Sequence, residues 1–217
     1  MKILYVKNLP LPDVKLIGFS RFRDERGYFT EHFRKSDLFN HHDLPGMKGI
    51  NFVQANQSYS KKGVVRGLHF QWNPFMGKLV RTISGHMLDL LLDIRKGSDT
   101  FGKAMTYDLP ASQESDLDEW IWVPPGFAHG NYFKLDTVIE YFCSGEYSQG
   151  CEAGISPLAS DIDWSLCDND TLRSLRGDLK NSIITEKDRN GLSLKTWVED
   201  ERSNNFIYDD MKKLGLF

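Results

Sequence analysis

The chain has 217 residues, 40% of them hydrophobic and 26% charged, with a formal net charge of −3. That length suits one domain with a sizeable core, or a domain plus an appendage. The slightly acidic balance argues against a general nucleic-acid binder, which would be strongly basic, but local cations can still bind a small anion.

Three cysteines, Cys143, Cys151 and Cys167, show no CxxC spacing, so neither a disulfide framework nor a cysteine zinc site is expected. The opening "MKILYVKNLPLPDV" lacks a long apolar stretch, and no run approaches a membrane span. A cytoplasmic protein with no membrane partner is the expectation.

In chain order, "RKSDLFNHH" offers a short helix with Ser36 as N-cap. From about residue 51 to 147 short β-runs alternate with Gly, Pro, Asn and Asp. The runs predict strands over 52–58, 64–70, 78–84, 86–94, 103–109, 120–123 and 138–142. Such spacing favours an antiparallel sandwich or barrel, with "DIRKGSDTFG" turning one connection. From about Asp168 the chain is polar and mixed, with a helix in "DDMKKLGLF". The expected organisation is one domain over 1–217, with a barrel core at about 50–148 and an appendage at about 165–217.

Alternate residues of a strand face opposite ways. Phe52, Gln54 and Asn56 should therefore share a face, as should Ile139, Tyr141 and Cys143. Polar groups on the inner face of a small barrel are costly unless paired, which points to a ligand cavity.

His69 lies in "VVRGLHFQWNPFMGK", with Arg66 three residues before it and Lys78 nine after. Imidazole titrates near neutral pH, so His69 is a candidate general base. A second histidine, His129, follows the sharp turn of "WVPPGFAHG", and PxGxxH is a signal for a cupin-type barrel. A metal site is disfavoured, because Phe70 and Gln71 supply no further strong ligand beside His69. Arg26, in "RDERGYF", and Arg66 are two guanidinium candidates for one phosphate-bearing ligand.

"DERGYFTE", "FVQANQSYSKKGVVRGLHFQ", "GKLVRTISG", "LDIRKGSDTFGK" and "WVPPGFAHG" together resemble the dTDP-4-dehydrorhamnose 3,5-epimerase family. The likeness runs from about residue 19 to 164 and resumes at "TEKDRNGL". It implies an all-β-dominated, cupin-like (jelly-roll) antiparallel barrel or sandwich with a few short helices, mostly C-terminal. It also implies a homodimer, a nucleotide-diphosphate-sugar substrate and no cofactor or metal.

Position by position, the resemblance makes His69 the general base and Asp188 its orienting acid. Lys78 falls near the sugar's keto oxygen, His129 is a second active-site histidine, and Tyr141 is the acid on the opposite face. Arg26 and Arg66 correspond to diphosphate contacts, and Glu31, Gln54 and Asn56 to other contacts of the nucleotide sugar.

The implied reaction is epimerisation at C3, C5 or both of an NDP-4-keto-6-deoxy sugar in deoxysugar biosynthesis. The C4 ketone acidifies its α-protons, His69 removes one, and Lys78 stabilises the enolate. A 3,4-ketoisomerase and a non-catalytic sugar-nucleotide-binding cupin are the alternatives. Both are opposed by "RGLHFQ" together with "TEKD".

Two departures stand out. Glu146 takes the first place of a tyrosine pair common in the family, and is expected to line the sugar pocket. The stretch "SLCDNDTLRSLRGDLKNSI" is longer than the family usually has, and reads as a lid, a dimer contact or a longer loop.

Overall fold

A computed structural model describes residues 2–217. The strands are β1 (Ile3–Asn8), β2 (Lys15–Ser20), β3 (Phe22–Asp24), β4 (Gly27–Phe29), β5 (Gln54–Ser60), β6 (Val65–Gln71), β7 (Lys78–Ser84), β8 (His86–Asp93), β9 (Ala104–Pro110), β10 (Leu117–Val123), β11 (Phe127–Phe133), β12 (Thr137–Cys143) and β13 (Glu152–Gly154). Five short helices are α1 (Lys35–Phe39), α2 (Asn169–Lys180), α3 (Glu186–Arg189), α4 (Leu194–Glu199) and α5 (Tyr208–Lys213).

Two antiparallel sheets form the body, in the orders β1-β2-β10-β7-β12-β5 and β13-β6-β11-β8-β9, while β3 and β4 make a separate hairpin. Side chains from both inner faces interlock, among them Val80, Leu91, Met105, Ile121, Phe127, Phe133 and Ile139. This is the packing of a β-sandwich.

Both outer faces are also covered. Leu68, Phe70, Leu90 and Tyr132 of the five-stranded sheet pack under Leu175 and Leu179 of α2, Trp197 of α4 and Met211 of α5. Ile17, Leu79, Trp120 and Trp122 of the six-stranded sheet pack under Leu38, Phe39, Leu44 and Met47. Strands buried on both faces tend to lose the polar–apolar alternation, as "MLDLLL" in β8 does, with apolar residues facing both ways around Asp89.

The same double covering explains what the sequence reading missed. β1 and β2 join the six-stranded sheet, so the sheet reaches back to Ile3, well before the expected core boundary near residue 50. Ile3 and Val6 pack toward one core and Tyr5 toward the other, which blurs the alternation of that strand. Phe52 precedes β5 and turns away from Gln54 and Asn56, stacking on Phe33, Phe142 and Trp122 instead. Ser36 lies inside α1, whose N-cap is Arg34 with no side-chain bond.

The long insertion is mostly helix. α2 is capped by Asp168, whose side chain accepts from the Thr171 amide, and it presents Leu175 and Leu179 to the core. The segment after α2 is tied to the sheet edge. The Ile183 amide donates to the Gly63 carbonyl at 2.8 Å, and the Val65 amide to the Ile183 carbonyl at 2.9 Å.

Candidate active site

Between the two sheets, on the β5 and β6 side, the interior is not filled. The space has two adjoining lobes of about 450 and 420 Å³, and both are lined by His69, Lys78, His129 and Tyr141. His69 and His129 belong to the five-stranded sheet, where they are directly paired across the β6–β11 ladder. Lys78 and Tyr141 belong to the six-stranded sheet, with the ammonium 5.9 Å from the tyrosine ring centre.

Each histidine has its own aspartate. His69 Nε2 lies 2.6 Å from Asp188 Oδ1, which leaves Nδ1 as the atom open to a ligand. The Gly67 amide donates to Asp188 Oδ2 at 3.4 Å. Thr185 caps α3 by accepting from the Asp188 amide, and so sets where that carboxylate starts. Burial alone would raise the Asp188 carboxyl, but the His69 hydrogen bond and charge, helped by Gly67 and Thr185, hold it below the usual range.

His129 Nε2 lies 2.6 Å from Asp89 Oδ1, which also accepts from Asn131 Nδ2 at 2.7 Å. Asp89 is fully buried, and its Oδ2 has no hydrogen-bond partner among the described residues. Asp89 sits between Met87 and Leu91 on the inner-facing row of β8, so a charge in mid-strand between apolar residues was the available signal for it.

Burial lowers the Lys78 ammonium, although Cys143, Asp89 and Glu152 oppose the shift. Burial raises Tyr141, as does the nearby Cys143, against the Asn56 hydrogen bond and the Arg66 charge. Tyr141 therefore holds its proton at neutral pH.

The first lobe also takes in Ser58, Arg66, Thr185 and Asp188. Arg66 is fixed there by its Nε donating to Ser60 Oγ at 2.9 Å. The second lobe takes in Gln54, Asn56, Tyr147 and Glu152. Gln54 accepts from the Tyr147 amide at 2.8 Å, and the Tyr147 hydroxyl donates to Glu152 at 3.1 Å. Lys187, next to the His69 partner in sequence, closes on the same Glu152 oxygen at 2.8 Å.

Three residues stand apart from the cavity. Arg26 is at the tip of the β3–β4 hairpin, with its side chain 84% exposed and paired to Asp24 at 2.5 Å. Glu31 accepts from Arg34 at 2.7 Å beyond that hairpin. Glu146 is exposed and lines neither lobe; only its carbonyl is engaged, by Gln71 Nε2 at 2.9 Å. The tight bend at Gly145 turns Glu146 outward and brings the next residue, Tyr147, to the second lobe. Asp89, Asn131, Tyr147, Glu152, Thr185 and Lys187 were not picked out from the sequence.

Among the described residues, the one cluster of three potential metal ligands is His41, His42 and Asp43, on the surface away from this cavity. No helix is long and apolar enough to cross a membrane.

The chain is similar to known proteins over most of its length. The family model described as dTDP-4-dehydrorhamnose 3,5-epimerase matches residues 8–196. A dTDP-4-dehydrorhamnose 3,5-epimerase of Shigella flexneri is 37% identical, over 83% of this chain and 91% of its own. Its counterpart from Sinorhizobium fredii is 42% identical, over 74% and 80%. The dTDP-6-deoxy-D-glucose-3,5-epimerase of Legionella pneumophila, solved with dTDP-4-keto-L-rhamnose, superposes with a TM-score of 0.72. It is 31% identical and covers 88% of this chain and 93% of its own. With this extent of likeness, and with both His–Asp pairs facing one cavity, the chain belongs to the dTDP-4-dehydrorhamnose 3,5-epimerase family.

Proposed function

We propose that His69, oriented by Asp188, removes the proton beside the C4 ketone of a dTDP-linked 4-keto-6-deoxy sugar, and that Tyr141 returns one from the other side. The observation that carries this reading is the placement of His69 and Tyr141 on facing sheets of one cavity. Inversion at carbon needs a base and an acid on opposite faces, and a ring between the sheets meets one on each.

Lys78 supplies the positive charge for the enolate oxygen. It has no carboxylate within ion-pair distance among the described residues, so its charge is free for the developing anion. A preorganised cation in a partly dry site is the largest single source of stabilisation for such an intermediate. His129, held by Asp89, lines the same centre.

Gln54, Asn56 and Arg66 bind the nucleotide sugar, with the Tyr147 ring on the same rim. Arg26 and Glu31 serve in a homodimer. The exposed Phe22 and Phe29 pair at the base of the hairpin whose tip holds Arg26, and a second copy that buries them would bring those charges to another cavity. Cytoplasmic deoxysugar synthesis is the setting this reading fits.

Incubation with dTDP-4-keto-6-deoxyglucose in D2O, followed by NMR at C3 and C5, tests the proposal. Deuterium should enter with inversion at one or both carbons, and His69→Asn should abolish exchange at each. Normal exchange in that variant would remove His69 as the base, and a migrated carbonyl would mark a ketoisomerase.

A further inference from the structure

Tyr147 lines the second lobe although it is 56% exposed, so packing does little to fix it. It sits in the connection from Cys143 to Glu152, which carries no ladder of its own. Backbone groups in such a connection need partners from elsewhere. Three successive residues receive theirs from two glutamine side chains. Gln71 Nε2 donates to the Glu146 carbonyl at 2.9 Å, and Gln71 Oε1 accepts from the Ser148 amide at 2.9 Å. Between them, the Tyr147 amide donates to Gln54 Oε1 at 2.8 Å.

Gln71 is 5% exposed and follows His69 by two residues in β6, so both side chains leave the strand on one face. Gln71 Nε2 also donates to the Pro74 carbonyl at 2.8 Å. A side-chain amide has two N–H donors, and both are used on loop carbonyls, which leaves none for a ligand. Gln71 thus borders the second lobe but acts on the loop. The far end of Tyr147 is tied as well, its hydroxyl donating to Glu152, the ladder partner of Gln71. The ring is held at its backbone and at its tip, and stays open at the cavity.

We propose that Gln71 is a positioning residue for substrate binding, which holds Tyr147 at the cavity, and Glu146 away from it, in the orientation the nucleotide sugar meets. This rests on the nucleotide-sugar reading above and adds to it a residue that acts through another. A loop already ordered costs the ligand less to bind than one the ligand has to order. The benefit belongs to binding, because none of the Gln71 hydrogen bonds goes to His69, Asp188, Lys78 or Tyr141.

Gln71→Met keeps the volume and removes all three bonds. Calorimetric titration with dTDP-glucose, which lacks the ketone and does not react, should show affinity weakened about three- to tenfold, the usual worth of ordering one long side chain. In the exchange assay KM should rise by a similar factor while kcat holds. A general loosening of the fold would act in any background, so the double variant decides. In protein that already carries Tyr147→Ala, Gln71→Met should cost little further affinity, because the ring it places is gone.

Ser148→Pro removes the amide that Gln71 Oε1 accepts from, and lies in the loop itself. It should give the same pattern, and it keeps the test usable if Gln71→Met fails to fold. Unchanged affinity in the folded variants, an equal loss with and without Tyr147, or a fall in kcat with KM unmoved would overturn the positioning role alone. Failure of wild type to bind dTDP-glucose would overturn the nucleotide-sugar reading with it.

Discussion

His69 and Tyr141 face one another across a single cavity, the histidine from the five-stranded sheet and the tyrosine from the six-stranded one. Removing the tyrosine hydroxyl should separate two events that wild type couples. In Tyr141→Phe, His69 still takes the proton and can return a solvent deuteron to the same face. Deuterium should then enter C3 or C5 with retention, while inverted product falls by about 10²–10⁴-fold, the usual weight of a positioned acid. Undiminished inversion would show that another group is the acid.

Asp188→Asn should lower kcat by about 10²–10³-fold with little change in KM, because the base loses its orienting anion but the nucleotide contacts stay. Stability should respond to pH in a defined direction. The Asp188 carboxyl is lower in the folded state than its ordinary value, so it contributes stability above an unfolded pKa of about 4. That contribution is lost as pH falls through the depressed folded value. The melting temperatures of wild type and Asp188→Asn should thus differ most near neutrality and converge in acid. A gap that widens on acidification would contradict this role.

Lys78→Met should abolish epimerisation and raise stability by about 1–2 kcal/mol at pH 7, as expected when a functional charge leaves an interior site. The sign follows from the lowered ammonium pKa: the unfolded chain binds the proton more readily, so burial of Lys78 opposes folding at low and neutral pH. Above the unfolded value of about 10.5 that penalty disappears. Thermal melts from pH 7 to 10.5 should show the advantage of the variant shrinking. The same lowering places the alkaline limb of kcat/KM below pH 10.5, with Tyr141, which is raised, titrating later.

Gly67 should tolerate no side chain. It has φ +108°, and a Cβ there would sit 2.5 Å from Gly130 Cα and 2.7 Å from the His129 carbonyl oxygen. Neither backbone can yield without opening the ladder that pairs His69 with His129. Gly67→Ala should cost roughly 3 kcal/mol or more and reduce turnover, read by urea unfolding and by the exchange assay. A variant of wild-type stability would show that the two strands can part without loss.

The sequence made the central sheets and the inward face of Tyr141 legible, because turns and period-two patterns mark strands that line a polar cavity. The joint roles of His69, Lys78, His129 and Tyr141 were reached through the family likeness. Asp188 was reached only through the likeness resuming at "TEKD", since nothing local in that stretch announces a contact 119 residues back in the chain. Contacts of that range depend on how the sheets close. Asp89 was hidden for the opposite reason: a mid-strand charge among apolar neighbours, in a strand buried on both sides, looks like an exception to the pattern, not a participant. Glu146 and Tyr147 differ by one position, and the turn at Gly145 decides which of them meets the cavity. Backbone direction at a turn is the kind of detail that composition does not carry.

The run from Ile183 to Asp188 has a consequence for how such an enzyme can change. One stretch of six residues both lines the cavity and carries the carboxylate that aims His69. A new taste in sugars acquired by lengthening, shortening or rebuilding this stretch would shift the aim of the base at the same time. Preference and reactivity are therefore coupled at this position, and variants selected for one should show correlated drift in the other. Ile139, on a separate strand, offers a route by which the first can move while the second stays put.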